Sequence, residues 1–322
     1  MKQNSWIIFG AVALLVVIMA FMVYDFFGGF ESNPKNVYEF NLNEFEAVDS
    51  SAICYTEIMI FPVGLEFPHA LAVDLKNNIY VGGDSLLIYS ENGGLMKTIY
   101  LENDITSLAI STTGEIFIGA FDHVEVLNAD GSKKARWVVK NDRVLITSIA
   151  ISDSSVFVAD AGNKIVYHYN LNGDFLNEIG RKDSLQGIPG FVIPSAYFDV
   201  AMGRDGEIWA VNSGRHQLEA YDPTGRLLYS WTKTSMNLDG FSGCCNPSHI
   251  AILPDGSFVT SEKGLVRVKI HRPSGEFDCV VAASDQFDKG TTGLDLAVDS
   301  QGKIIILDPK RRMIRVFQHN SL

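Results

Sequence analysis

Two adjacent cysteines, Cys244 and Cys245, are the most chemically unusual feature of this 322-residue sequence. With Cys54 and Cys279 they make four cysteines, which allow three disulfide pairings. One pairing is a vicinal disulfide, a strained ring that would be readily reduced, and the others join one of the adjacent cysteines to Cys54 or Cys279. A further interpretation is thiolate ligation of a soft metal ion beside His249. The sequence leaves these alternatives open.

Two histidines, His69 and His249, precede related segments of the chain, Leu71-Ala72-Val73 and Ile250-Ala251-Ile252. Because they occupy almost equivalent places, both could point into one site. Two converging imidazoles could bind zinc, with a third group needed to complete a catalytic centre. The alternative is that each histidine makes a hydrogen bond to a neighbouring segment of the fold.

An internal repeat must position these side chains. An apolar-Ala-apolar triplet recurs, and most copies precede a polar turn, a second short apolar strand, a polar loop and a third strand. The triplets are Leu71-Ala72-Val73, Leu108-Ala109-Ile110, Ile149-Ala150-Ile151, Val200-Ala201-Met202, Ile250-Ala251-Ile252 and Leu296-Ala297-Val298. Short strands at regular spacing indicate antiparallel β-structure. Six such units predict an all-β fold, a six-bladed β-propeller over residues 54–322.

The two ends of the repeat region suggest how the ring closes. The last unit ends at Gln318-His319-Asn320 without a fourth strand, whereas five units have one. A spare apolar strand, Tyr55 to Phe61, lies before the first unit. Pairing the spare strand with the last unit would complete the sixth blade and remove an open sheet edge.

Polar residues in the loops define a candidate binding face. In a propeller, the turns between second and third strands and the links between blades lie on the face where the channel opens, and loops on a rigid scaffold commonly carry sites. Two links, Arg181 to Ala196 and Thr232 to Pro247, are longer than the rest and either carry recognition or only shield the channel. The candidate residues are His69, Asp160, Tyr197, Asn212, Arg215, His216, Cys244, Cys245, Asn246, His249, Glu262 and Lys263.

Two segments carry a resemblance to a known family. Residues 154–165, SSVFVADAGNKI, resemble the strand, Ala-Asp-x-Gly-Asn turn and strand of the NHL-repeat propellers, and residues 67–74, FPHALAVD, resemble the start of one of their blades. The resemblance extends from about Pro62 to the C-terminus and implies a six-bladed propeller. It implies no single function, because that family includes enzymes, scaffolds and partner-binding modules.

Two enzyme branches of such propellers suggest metal cofactors. Pro68-His69-Ala70-Leu71 resembles a blade start of the peptidyl-α-hydroxyglycine lyases, which carry zinc on channel histidines. Here Pro247-Ser248-His249 is shifted by one residue, and no third histidine stands at an equivalent start. The gluconolactonase-like propellers place Glu, Asn and Asp around calcium, which Glu262, Asn212 and Asp160 could imitate. The resemblance thus implies zinc or calcium as the alternative cofactors.

The N-terminal segment predicts a membrane anchor. From Trp6 to Tyr24 no side chain is charged, and such a run is long enough to cross a bilayer as a helix. Lys2 before the run places the N-terminus, residues 1–5, in the cytoplasm and the body outside, with residues 25–53 as a tether. A cleaved signal peptide is the alternative, but bulky residues occupy the expected cleavage region.

Composition narrows the choice of partner. There are 26 Lys and Arg against 38 Asp and Glu, giving a formal net charge of −12, and this excludes nucleic acid as the main partner. We therefore predict an extracytoplasmic, membrane-anchored propeller, periplasmic in a bacterium. Its channel face would bind a protein or small-molecule partner, as an accessory subunit of a membrane or redox complex. The alternative is a metal-dependent lyase or hydrolase with its site at the channel mouth.

Overall fold

The computed structural model describes residues 3–28, 43–139 and 141–321, which belong to two compact units, residues 1–42 and 43–322. In the first unit, helix α1 spans Gln3–Gly28, so the uncharged run is helical as expected. No helix in the described part of the chain is long and apolar enough to cross a membrane, so the predicted anchor is not supported as a membrane-spanning helix. Residues 29–42 of the predicted tether lie outside the described residues.

The second unit begins with a short helix, α2 (Asn43–Glu46), and a 3-10 turn at Ser50–Ala52. Its strands are β1 (Tyr55–Pro62), β2 (Ala70–Val73), β3 (Ile79–Gly82), β4 (Ser85–Tyr89), β5 (Leu95–Tyr100), β6 (Ser107–Ile110), β7 (Ile116–Ala120), β8 (His123–Leu127), β9 (Lys133–Val138), β10 (Ile146–Ile151), β11 (Ser155–Asp160), β12 (Ile165–Asn170), β13 (Phe175–Ile179), β14 (Val200–Met202), β15 (Ile208–Asn212), β16 (Gln217–Tyr221), β17 (Leu227–Thr232), β18 (His249–Ile252), β19 (Phe258–Ser261), β20 (Val268–His271), β21 (Phe277–Ala282), β22 (Asp295–Val298), β23 (Ile304–Asp308) and β24 (Met313–His319). Further 3-10 turns span Ser213–Arg215 and Ser284–Gln286.

These strands form six antiparallel sheets of four within the described ranges, which confirms the six-bladed propeller. Five sheets use consecutive strands, from β2–β5 to β18–β21. The sixth has the order β1-β24-β23-β22, in which Tyr55 pairs with His319 and Pro62 with Met313. The predicted spare strand therefore closes the ring by completing the last blade.

The hydrophobic core lies between neighbouring blades. In one cluster Val259 and Ile270 of the fifth blade pack against Ile304 and Ile306 of the sixth, and all four are buried. The second strands are buried along their whole length because a blade covers each of their faces, whereas fourth strands such as β5 and β9 are largely exposed. The first strands of successive blades contact one another around the channel, which explains the small Ala in each triplet.

Candidate functional site

A cavity of about 560 Å³ opens at the channel mouth. Its walls come from the starts of first strands and from the turns between second and third strands, so it lies on the face expected to carry a site. Three predicted residues, His69, Tyr197 and His249, line it. Other lining residues stand outside the candidate set, among them Asp104, Thr106, Phe121 and Thr147, and the wall also includes Lys310.

His249 lies between two carboxylates at the edge of this cavity. Its Nδ1 is 3.5 Å from Asp295 Oδ1 and 3.7 Å from Asp199 Oδ2, and all three side chains are largely buried. The Tyr197 ring meets the imidazole edge-on, with centroids 5.7 Å apart. Burial lowers the pKa of His249, but the two carboxylates outweigh burial and raise it. The site therefore favours the imidazolium form, an N–H donor beside the cavity.

Asp199, His249 and Asp295 share one repeat position, immediately before the triplet, in three successive blades. The carboxylates also join blades, because Asp199 Oδ2 accepts the Ile250 N–H at 2.7 Å and Asp295 Oδ2 accepts the Leu71 N–H at 2.7 Å. An alignment of the six repeats by their triplets could have placed Asp199 and Asp295 beside His249.

The two predicted metal ligands are not equivalent. His69 stands one residue earlier in its repeat than His249, and a shift of one residue in a strand turns the side chain to the opposite face. His69 is accordingly exposed at the mouth, whereas His249 is largely buried between Asp199 and Asp295. Among the described residues, no group of three or more His, Cys, Asp or Glu side chains could hold a metal ion. The geometry gives no support to the predicted zinc or calcium site.

Asp295 is expected to make the protein more stable in mild acid than at neutral pH. Burial, reinforced by Asp199 and opposed by His249, raises its pKa from 3.8 to about 6. Because the folded protein holds this proton more tightly than the unfolded chain, the stabilisation is complete below about pH 4 and is lost as the pH rises through about 6. The raised pKa of His249 acts in the same direction.

Thermal denaturation between about pH 4 and pH 7 tests this linkage. Asp295→Asn cannot ionise, so its melting temperature should fall less with rising pH than that of the wild type. Asp153→Asn, in an exposed turn at the other end of a blade, is the control and should match the wild type. Equal slopes for Asp295→Asn and the wild type would contradict the prediction.

Asp160 and Asn212, predicted on the binding face, brace the fold instead. Asp160 is fully buried, and its carboxylate accepts the Leu145 and Gly162 N–H groups, each at 2.9 Å. Asn212 is also fully buried, and its Nδ2 donates to Glu219 Oε1 at 2.8 Å. Their polar atoms are used inside the protein, and neither residue lines the cavity.

Glu262 is also a structural residue. Its Oε2 lies 2.9 Å from both Arg267 Nε and Lys269 Nζ, and the three side chains are fully buried. Burial lowers the pKa of Lys269 to about 8, with Glu262 opposing. Both cations also make hydrogen bonds to the long link before the fifth blade. Arg267 donates to the Met236 carbonyl, and Lys269 donates to the Gly240 carbonyl. Glu262, Asn212 and Asp160, the residues that could imitate a calcium site, therefore each make separate contacts within the fold.

Three further predicted residues lie around the same link. His216 contacts the Gly243 carbonyl through Nε2 at 2.5 Å. Asn246 is buried, and it donates to the Lys263 carbonyl and accepts the Lys263 N–H, both at 2.9 Å. Arg215 is exposed on the 3-10 turn beside His216. His216 and Asn246 hold the loop in place, and none of the three lines the cavity.

The cysteines divide into a bonded and an unbonded pair. Cys54 and Cys279 form a disulfide. Cys244 and Cys245 are free thiols with their Sγ atoms 3.0 Å apart, so the structure contains no vicinal disulfide. Lys263 lies nearby, donating to Ser195 Oγ at 3.2 Å and placing its Nζ 4.6 Å from the centre of the Tyr197 ring. Lys263 therefore connects the thiol pair with the cavity wall.

Comparison with known proteins finds likeness in structure alone. No family model and no curated protein matches the sequence, so the NHL family is not confirmed. Selenomethionine-substituted virginiamycin B lyase from Staphylococcus aureus superimposes with a TM-score of 0.57 at 12% identity, covering 82% of this chain and 99% of that one. A streptogramin B lyase gives 0.59 at 9% identity, covering 84% and 100%.

A third similar structure is a catalytically inactive histidine-to-alanine variant of the S. aureus virginiamycin B lyase with quinupristin. Its TM-score is 0.57 at 11% identity, with 82% of this chain and 99% of that chain covered. The likeness is one of fold. At such low identities a shared propeller does not carry over an activity, because one fold hosts many functions.

Proposed function

We propose that this protein is a binding module that takes up a small organic molecule in the cavity at the channel mouth. The observation that carries the proposal is the cavity itself, whose volume of about 560 Å³ falls within the roughly 300–1,000 Å³ typical of small-molecule sites. The rings of Phe121 and Tyr197 offer apolar surface there. A repeat of NHL type is part of this proposal and is supported by the blade sequences.

The lining favours a ligand with carbonyl or carboxylate oxygens. His249 is held toward its protonated form, and Lys310 adds a second cationic side chain against one acidic lining residue, Asp104. Thr106 and Thr147 contribute hydroxyl groups to the same wall. A few fixed polar groups on a largely apolar surface give a pocket its specificity.

We place this binding function outside the cytoplasm. The Cys54–Cys279 disulfide supports this location, because structural disulfides persist in oxidising compartments. Attachment through the N-terminal helix and service as an accessory subunit of a membrane or redox complex belong to the same proposal. The acidic net charge of −12 favours a partner other than nucleic acid.

Filling the cavity should abolish ligand binding without unfolding the protein. Ala196 lines the cavity and is exposed, so Ala196→Trp would occupy the mouth without disturbing the core. A library of small carboxylates and amides is screened by thermal shift. The control is Ser154→Trp, in an exposed turn at the opposite ends of the blades. We expect compounds that raise the melting temperature of the wild type and of this control to leave that of Ala196→Trp unchanged. Compounds that raise the melting temperature of all three proteins equally would show that binding takes place outside the cavity.

A second candidate is a lyase that uses His249 for proton transfer. It is favoured by the position of His249 beside the cavity and between two carboxylates, an arrangement that suits general acid–base chemistry. The three similar structures described above are lyases, and one of them is a catalytically inactive histidine-to-alanine variant. This candidate is tested by incubating the protein with quinupristin and following the substrate by chromatography.

A lyase of this kind should consume quinupristin, and the consumption should stop in His249→Ala. His69→Ala, at the exposed rim of the same cavity, is the matched control and should retain activity. Unchanged quinupristin after prolonged incubation with the wild type would remove a streptogramin-type lyase from consideration and leave the binding module.

A further inference from the structure

We propose that Cys244 and Cys245 form a thiol–disulfide exchange site, at which a small disulfide compound is reduced to two thiols while the two cysteines close a vicinal disulfide. This proposal is independent of ligand binding in the cavity. It starts from the juxtaposition of two free thiols, one open to solvent and one buried, with a cationic side chain beside them.

The two sulfur atoms are placed for sequential reaction. Cys244 is exposed, whereas Cys245 is only 2% exposed, and their Sγ atoms are 3.0 Å apart. A disulfide compound arriving from solvent can therefore reach Cys244 but not Cys245. Once Cys244 carries a mixed disulfide, the nearest thiol able to attack it is Cys245.

Hydrogen bonds on both sides of the pair hold the loop that carries it. Asn246 makes reciprocal hydrogen bonds with the backbone of Lys263, both at 2.9 Å, and also donates to the Ser242 carbonyl at 2.6 Å. On the other side, His216 contacts the Gly243 carbonyl at 2.5 Å. Contacts on both sides of the cysteines keep the sulfur atoms together without a bond between them.

The surroundings assign different roles to the two thiols. Burial raises the pKa of Cys245, but hydrogen bonds from Ser195, Cys244 and Lys263 and the charge of Lys263 outweigh it and lower the pKa. The hydrogen bond to Cys245 raises the pKa of Cys244. Because the thiolate is the attacking species, Cys245 is prepared to attack once Cys244 has reacted.

The reaction balances in two steps. The Cys244 thiolate attacks one sulfur of the compound RSSR, the S–S bond breaks, and the departing RS⁻ takes up the proton that Cys244 released. The Cys245 thiolate then attacks Cys244 Sγ, the mixed disulfide breaks, and a second RS⁻ leaves and is protonated. Two electrons pass from the cysteines to RSSR, and thiols reverse both steps.

Adjacent cysteines make the product easy to reduce. Successive Cα atoms lie about 3.8 Å apart across a trans peptide, which is shorter than the roughly 4.4–6.8 Å usual for a disulfide. Strain of this kind raises the reduction potential and marks labile disulfides. Oxidation also removes the thiol that Lys263 faces, and Lys263 stacks on Tyr197 at the cavity wall. Oxidation of the pair would therefore change the contacts of Lys263 with Tyr197 in the cavity wall.

The test uses the full chain, treated first with a mild reductant and then with oxidised glutathione. The reaction is quenched with acid, free thiols are alkylated, and the unreduced tryptic peptides are analysed by mass spectrometry. Cleavage after Lys233 and Lys263 yields a peptide with Cys244 and Cys245 as its only cysteines. We expect this peptide to lose two hydrogen atoms as the disulfide closes, with two molecules of reduced glutathione released per chain.

Single variants separate the two roles. Cys245→Ser should stop at one glutathione adduct on Cys244, and Cys244→Ser should stay unmodified because Cys245 is buried. Lys263→Gln should slow closure, since each unit by which the Cys245 pKa rises slows its attack about threefold, while Lys263→Arg should be close to the wild type. Two free thiols in the oxidised wild-type peptide, or equal adducts in both cysteine variants, would overturn the proposal. The wild-type result decides even where a variant fails to fold.

Discussion

Replacing Glu262 by glutamine is expected to lower the free energy of unfolding by about 3–5 kcal/mol. The Glu262 carboxylate is the shared partner of Arg267 and Lys269, at 2.9 Å from each, and no part of the three side chains reaches solvent. Without the carboxylate the two buried cations lose the counter-charge that they share. Removing one member of a buried ionic cluster costs far more than the cluster contributes relative to an apolar core.

The matched control lies in the same blade. Arg272 and Asp278 form an ion pair at 2.8 Å, with side chains 61% and 37% exposed. Asp278→Asn should cost less than about 1 kcal/mol because water screens exposed pairs. Urea denaturation of both variants at pH 7 measures the difference. Similar losses in both would show that burial of the Glu262 cluster does not determine its contribution.

The same substitution should loosen the long link before the fifth blade. Arg267 and Lys269 donate to the carbonyl groups of Met236 and Gly240 in that link, and their positions depend on Glu262. Limited proteolysis should therefore cleave residues 232–247 faster in Glu262→Gln than in Asp278→Asn. The cluster thus supports the loop that carries Cys244 and Cys245.

The blade architecture was predictable because its signals are local. Each triplet, its turn and the next strand lie within a few residues of one another, and hydrophobic patterning with turn residues specifies antiparallel pairing. The closure by β1 was also predictable, since the last unit lacked a strand and Tyr55 to Phe61 supplied one. Counting strands in a repeat can therefore fix one long-range contact without any other information.

The site was harder to predict because a carboxylate at the loop face can either bind a ligand or hold neighbouring parts of the fold together. Asp160 ends strand β11 and Glu262 directly follows β19, at the loop face where binding residues are expected, yet their carboxylates bind neighbouring N–H groups and buried cations. Whether a carboxylate is satisfied internally depends on packing that no spacing reveals. Asp199 and Asp295 show the opposite case, in which comparing repeat positions would have found the residues that flank His249.

The cysteine pairing depended on ring closure rather than on spacing. Cys54 directly precedes β1, and Cys279 lies in β21 of the fifth blade. The two cysteines approach each other only because β1 pairs with β24, the last strand of the chain, and so lies beside the fifth blade. The Cys54 N–H donates to the Val280 carbonyl at 3.1 Å, and the Cys54 carbonyl accepts the Asn320 N–H at 2.9 Å. Cys54 is thus bonded both to the end of its own sixth blade and to the fifth blade.

Removing this disulfide is expected to cost about 4 kcal/mol, because a cross-link that closes a long loop strongly restricts the unfolded chain. Here the bonded cysteines are 225 residues apart, so almost all of the first five blades lies inside the loop. The double variant Cys54→Ser with Cys279→Ser should therefore unfold at much lower urea concentration than the oxidised wild type. Reduction of the wild type should lower its midpoint in the same way.

The other cysteine pair supplies the control for this experiment. Cys244→Ser with Cys245→Ser removes two thiols that close no loop, so the free energy of unfolding should change by about 1 kcal/mol or less. If the two double variants unfolded at the same urea concentration, the disulfide would not be what holds the ring closed. A large loss of stability confined to the Cys54–Cys279 variant would show that this cross-link stabilises the propeller by restricting the unfolded chain.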